Sequence, residues 1–278
     1  MSGGEYVPAT PLARDQVVFR RTNARKGRHI SVTPANSATR HLSYGRIRLD
    51  AEVPEAAFDA GGEEVGLVCL QGVATVTVDG QAFTLGRYDA MYIPRDSRVT
   101  VRTDSSVDLA EFRAPVEHGY PLRHVPYAEV TADPGLHFKT GGPSSSRTLN
   151  MLLAKNVEAG RLMAGVTWSE PGHWTSWPPH EHADLAEELY VYYDMPPEAF
   201  GIQLVYTDTL EPERIEMVRD GDVVIMPRGF HPNVSIPGHP ISFLWVMAAV
   251  REREDRKFGV VNVHPDFAQA PSGLEKGR

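Results

Sequence analysis

Short runs of β-branched and aromatic residues, each ended within a few positions by glycine, proline or aspartate, dominate this chain. "GLVCLQG", "ATVTVDGQAFTLG", "AMYIP", "SRVTVRT", "ELYVYY", "GIQLVYT", "DVVIMP" and "ISFLWVMAAV" are of this kind, and no long amphipathic helical pattern interrupts them. Strand-length runs punctuated at this rate build a sandwich or a barrel. Within "VDGQAF", Asp79-Gly80 suits a tight hairpin turn with positive φ. Only "PYAEV" and "PPEAF" read as short helical turns. A length of 278 residues allows one large β domain or two smaller ones.

Charge and cysteine content narrow the function classes. The net charge is −8, and the 28 lysines and arginines form no long basic patch, which argues against a nucleic-acid partner. Cys69 is the single cysteine, so no intrachain disulfide forms and a reducing cytoplasm fits best. No apolar run approaches the ~20 residues needed to span a bilayer. Residues 1–25 lack an apolar core of signal-peptide length. The expectation is a soluble cytoplasmic protein with no membrane partner.

The two halves echo each other. "GRYDAMYIPRDSR" (86–98) and "RDGDVVIMPRGFH" (219–231) both run turn, apolar strand, proline, turn. Aligning Asp89 with Asp222 puts Pro94 on Pro227 and Arg98 on His231. The upstream "GLVCLQGVATVTVDGQAF" has its counterpart in "ELYVYYDMPPEAFGIQLVYT". A repeat of this size implies two stacked copies of one β-barrel unit. The Gly-, Pro- and Ser-rich "ADPGLHFKTGGPSSS" reads as the connection between them.

Chemistry separates the halves. The second carries "WPPHEHADLAEELYVYY", with His180 and His182 two residues apart, Glu187 and Glu188 following, and His231 after the strand "DVVIMP". The first half has "GGEEVGL" and Arg98 at these places. In extended chain, residues i and i+2 share a face, so His180 and His182 project together. Three imidazoles and a carboxylate suit Zn²⁺, Mn²⁺ or Fe²⁺. Spacing from His182 favours Glu187 as the carboxylate. Strand phase favours Glu188, because Tyr190 and Tyr192 then share its face, and on that ground Glu188 is the expected ligand. Asp184 and Glu187 then read as loop carboxylates beside the site. His41, His118, His124, His137, His173, His239 and His264 read as surface or hydrogen-bonded residues.

An H-x-H pair with a following Glu, and a G-D-x-x-x-x-P-x-x-x-H block, together resemble the cupin superfamily. At finer grain, "WTSWPPHEH", "LAEELYVYYDMPPEAFGIQLVYTD", "VRDGDVVIMPRGFHP" and "FLWVMAA" are similar to the 5-deoxy-glucuronate isomerase family of myo-inositol catabolism. "GVATVTVDGQAFTLGRYDAMYIP" and "SSSRTLN" look closer to its sister, the 4-deoxy-L-threo-5-hexosulose-uronate ketol-isomerases of pectin breakdown. The resemblance implies an all-β bicupin of two stacked jelly-roll barrels with few short helices. Its expected parts are an N-terminal arm (1–24), a barrel without metal ligands (25–130), a connection (131–146), a metal-binding barrel (147–255) and a C-terminal tail (256–278). The family's metal ligands fall on His180, His182, Glu188 and His231, holding one divalent metal per chain, Zn ahead of Mn or Fe. Members of this branch tend to form homo-oligomers.

The implied reaction is an aldose–ketose isomerisation of a deoxy uronate, 5-deoxy-D-glucuronate to 5-dehydro-2-deoxy-D-gluconate. Its hard step is removal of a proton beside a carbonyl, which a divalent metal eases by polarising the carbonyl and a nearby base completes. Tyr190 and Tyr192 are the phase-compatible candidates for that base. Arg147 and Arg228 are the planar donors suited to a substrate carboxylate, with Lys139 behind them. The alternatives are the sister ketol-isomerase reaction, a metal-dependent dioxygenase and a sugar sensor.

Overall fold

The β-rich runs pair into sheets in a computed structural model that describes residues 12–182, 185–209 and 212–269. Among the described residues there is a single α-helix, Tyr127–Ala132, in the "PYAEV" stretch. "PPEAF" forms only a turn, closed by Ala199 N–H donating to the Pro196 carbonyl at 2.9 Å. No helix of the described residues is long and apolar enough to cross a membrane. Asp79 and Gly80 take φ of 47° and 87° and join Ala74–Val78 to Gln81–Leu85, as the hairpin reading requires.

Sheet order carries the repeat. The first large sheet runs Arg123–Val125, Ala90–Ile93, Glu63–Gly72, Val107–Pro115, Ser43–Leu49, Gly27–Val32. The second runs Val18–Phe19, Val223–Met226, Ala186–Tyr193, Ser242–Ala249, Leu162–Ser169, Arg147–Leu153, His137–Thr140. Apart from the last strand of the second, the two orders correspond strand for strand. Each half adds a four-stranded sheet, Glu55–Asp59, Arg98–Arg102, Ala74–Val78, Gln81–Leu85 in one and Trp174–Thr175, Asn233–Ser235, Gly201–Val205, Arg214–Val218 in the other. The expected all-β pair of stacked barrels is therefore what the chain forms.

Register places Ile93 opposite Val65, and Met226 opposite Glu188. The Asp89–Asp222 alignment equates Ile93 with Met226, so the first barrel carries Val65 where the second carries Glu188. Arg98, at the His231 position, has an exposed side chain 3.6 Å from Asp59. The first barrel is filled by Ile47, Leu67, Met91, Val99, Val101 and Leu109. Beside them Arg28 forks onto the buried Glu111 at 2.7 and 2.8 Å.

The barrels stack through the outer faces of their large sheets. Tyr44, Val68, Tyr92 and Phe112 of the first share one buried cluster with Leu189, Val191, Leu244 and Val246 of the second. Two stretches behave differently from the sequence reading. The described part of the N-terminal arm crosses to the second barrel, where Val18 pairs with Val224. The expected connection supplies a strand, His137–Thr140, because Leu136 and Phe138 have apolar side chains to bury.

Gly66 lets the stacking close. A Cβ there would lie 2.0 Å from the Phe112 ring, which is fully buried. We expect Gly66→Ala to destabilise the fold by about 1–3 kcal/mol, the usual cost of overpacking a filled core. The check is a lower denaturant midpoint at unchanged slope.

Candidate metal centre

Ala186–Tyr193 is buried along its whole length, so the pleat sends successive side chains into two different interiors. Glu188, Tyr190 and Tyr192 point into the second barrel. Glu187 points the other way, toward the first half, and its carboxylate accepts the backbone N–H groups of Arg40 (2.6 Å), His41 (2.8 Å) and Leu42 (2.6 Å). Glu187 is thus a buried strand residue and not the solvated loop carboxylate expected from the sequence. Asp184 lies outside the described residues.

Glu188 meets the imidazoles. Its Oε2 lies 3.1 Å from His182 Nε2 and 3.0 Å from His231 Nε2. His180, on the short strand His180–Glu181, completes the group, with ring centroids 5.1 Å from His182 and 5.0 Å from His231. One ligand atom from each of the three histidines can be chosen so that all lie within 4.8 Å of one another. His231 arrives from the end of Val223–Met226 through a turn in which Gly229 takes φ of 88°.

The tautomers follow from the outer hydrogen bonds. His180 Nδ1 is 2.9 Å from the Pro178 carbonyl, and His231 Nδ1 is 2.9 Å from the Gly229 carbonyl. A carbonyl can only accept, so each Nδ1 donates to it and each Nε2 faces the cluster, the arrangement used to orient metal-bound histidine. Burial opposes charging of His231, but Glu188, 3.0 Å from its Nε2, outweighs it and raises the proton affinity of the ring. The space between Nε2 and the carboxylate therefore takes a proton or a metal cation. Burial and the neighbouring imidazoles His231 and His182 hold His180 well below the usual histidine range. Burial opposes ionisation of Glu188, but His182 and His231 outweigh it and hold the carboxyl below the usual range. The donor set fits a divalent cation.

A cavity opens on this cluster. Its polar lining is His180, His182, Glu188, Arg147, Thr167, Ser176 and Tyr190, and its apolar lining includes Leu149, Phe243, Trp245, Met247 and Phe258. Arg147 is buried and donates to the carbonyls of Ser145 (3.0 Å) and Trp177 (2.7 Å). Burial pulls its guanidinium down to about 10, so it stays cationic at neutral pH. Tyr190 Oη and Ser176 Oγ are 2.7 Å apart, and burial pushes the Tyr190 phenol well above its usual range.

Tyr192 and Arg228 stand outside the cavity lining. Tyr192, one pleat further along, donates its hydroxyl to Gln203 at 2.5 Å. Arg228 Nη2 is 3.4 Å from Glu213. Lys139 pairs with Glu170 at 2.6 Å on the surface. Ser176 and Phe258 were not singled out from the sequence. Ser176 directly precedes "WPPHEH", but an isolated serine has no pattern of its own. Phe258 belongs to the expected C-terminal tail, whose described part folds back over the site. Asn262–Val263 pairs with His180–Glu181, and Phe258 stacks on Trp245 with centroids 5.2 Å apart.

Comparison with known proteins adds an independent line. The family model described as the KduI/IolB family matches residues 17–266. A protein of Geobacillus kaustophilus named 5-deoxy-glucuronate isomerase is 28% identical over 240 residues, 80% of this chain and 85% of its own. One of the same name from Geobacillus thermodenitrificans is 31% identical over 166 residues, covering 57% and 59%. Among solved structures, an IolB-like protein of Salmonella typhimurium superposes with a TM-score of 0.80 at 23% identity, covering 91% of this chain and 98% of its own. The oxalate decarboxylase of Bacillus subtilis, studied for its Mn(II) centres, gives 0.62 at 13% identity, covering 90% and 79%. At these identities the structural likenesses establish the fold.

Two expectations attach to the cluster. His231→Ala and Glu188→Gln should each weaken Zn²⁺ or Mn²⁺ binding by more than the roughly 10–100-fold typical of outer-shell changes, read by competition with a chelating dye. Arg98→Ala, at the corresponding place in the first barrel, should leave metal content unchanged.

Proposed function

Because the chain is an isomerase of the KduI/IolB family, we propose that it uses a divalent cation to convert 5-deoxy-D-glucuronate to 5-dehydro-2-deoxy-D-gluconate. The observation that carries this reading is one cavity lined both by cation-binding groups, Glu188, His180 and His182, and by the buried Arg147. His231 completes the donor set at 3.0 Å from Glu188. The relatives named 5-deoxy-glucuronate isomerase support the substrate class.

A cation held by His180, His182, Glu188 and His231 would supply Lewis-acid polarisation of a carbonyl beside the carbon that loses its proton. Arg147 takes the substrate carboxylate through its planar donor fork. Its strand, Arg147–Leu153, lies three strands from Ala186–Tyr193 in the same sheet, roughly 14 Å at ordinary strand spacing. Tyr190, expected from the sequence as a base, instead keeps its proton because burial raises its phenol, so its hydroxyl acts as donor to a substrate oxygen, with Ser176 holding the phenol in place. The apolar wall of Phe243, Trp245 and Phe258 excludes water from the reacting carbons.

Arg147→Met should raise KM roughly 10–100-fold with a smaller change in kcat, the loss expected for a charged hydrogen bond. Tyr190→Phe should lower kcat by about 100-fold or more if proton donation is its role. The substrate is tested by incubating metal-replete protein with 5-deoxy-glucuronate and, separately, with 4-deoxy-L-threo-5-hexosulose-uronate, with and without O₂, and following the ketose by NMR. We expect the first compound to react with the higher kcat/KM and independently of O₂. Higher kcat/KM on the second moves the assignment to the sister reaction. Turnover of neither removes the isomerase assignment for both.

A further inference from the structure

Glu187 has a twin. Val65 and Ser43 both pair with Arg113, while Glu188 and Met163 both pair with Met247. The repeat therefore equates Glu64 with Glu187 and residues 40–42 with 160–162. Glu64 is fully buried and accepts the backbone N–H groups of Gly160 (2.8 Å), Arg161 (2.6 Å) and Leu162 (2.7 Å). Each barrel thus inserts one carboxylate into three backbone amides of the other, at symmetry-equivalent places. Glu64 also accepts the Tyr92 hydroxyl at 2.8 Å, and the twins differ in the residue next to them. Glu64 precedes Val65, which packs in an apolar core, whereas Glu187 precedes Glu188 of the metal centre.

We propose that Glu187 is a positioning residue through which the first barrel sets the geometry of the metal centre. The segment it anchors is short and joins two members of the cluster. Leu185 and Ala186, at the start of the strand, both donate to the His182 carbonyl, at 2.8 and 2.9 Å. Glu187 then fixes the pleat, and Glu188 is the next side chain, forced to the opposite face. A carboxylate in contact with three N–H donors is held by charge-assisted bonds on several sides. A side-chain amide in its place turns an N–H₂ donor toward donors. The clamp thereby gives the barrel without the cluster a part in building the cluster. This inference rests on the reading of the cluster as a metal centre.

Glu64→Gln is the internal control, since it breaks the equivalent clamp beside no ligand. Zn²⁺ affinity is measured by chelator competition on full-length wild type, Glu187→Gln, Glu187→Asp and Glu64→Gln, with thermal melts and amide hydrogen exchange on the metal-free proteins. Both Gln variants should melt earlier than wild type. Only Glu187→Gln should lose metal affinity, by about 10–100-fold as for other groups that orient ligands, and Glu187→Asp should recover part of it. Exchange should quicken at residues 185–189 and 40–42 in Glu187→Gln and not in Glu64→Gln. Equal loss of affinity in both Gln variants, or unchanged affinity in Glu187→Gln, overturns the proposal. If Glu187→Gln does not fold, Glu187→Asp decides it by the same two readouts. If wild type takes up no metal, the metal reading fails, and exchange still shows whether Glu187 alone holds the 185–189 segment.

Discussion

A carboxylate held away from water needs positive charge beside it, and the second barrel is organised around one such carboxylate, the buried Glu188. Glu188 faces His182 and His231 at 3.1 and 3.0 Å, and the Nδ1 protons of His180 and His231 are committed to backbone carbonyls. Unlike a surface cluster, this one cannot relax into solvent. The strand phase of Ala186–Tyr193, the turn at Gly229 and the fold-back of Asn262–Val263 each place one donor or its backbone support. The first barrel has the same strand order with Val65 at the Glu188 position and an apolar filling, and its buried Glu111 is answered by Arg28.

The unequal halves explain why two copies of a unit carry, among the described residues, a single cluster. An apolar first barrel supplies core without the desolvation cost of clustered polar groups. Its outer sheet face offers Tyr44, Tyr92 and Phe112 to the second barrel, and its backbone offers three amides to Glu187. The cluster-bearing barrel is thus braced from outside, so its interior can be open and polar on one side.

Much of this was legible in the chain. Period-2 alternation and turn residues gave the all-β class, and the Asp89–Asp222 alignment gave the repeat. Alternation in "EELYVYY" pointed to Glu188, because a one-residue slip would have turned both tyrosines away. Other parts were not legible, for physical reasons. Glu187 is satisfied by amides 145 to 147 positions away in the chain, and any residue type can donate a backbone N–H. Tyr192 shares a face with Tyr190, but alternation does not say how deep along the barrel the cavity reaches, and Gln203 takes its hydroxyl. Arg228 follows Pro227 and stands three residues before His231 in the chain, yet Glu213 draws it aside. Phe258 joins the lining through a fold-back that no local pattern announces.

The central claim is that the cavity moves a proton between neighbouring carbons of a deoxy uronate and needs a divalent cation to do it. The direct test is to run the reaction in D₂O without O₂ and to read product and residual substrate by ¹H and ¹³C NMR, before and after chelation. The account predicts deuterium at the carbon that gains the proton, turnover without O₂, loss of turnover on chelation and recovery when Zn²⁺ or Mn²⁺ is restored. Turnover that persists in chelator, or that requires O₂, would contradict it.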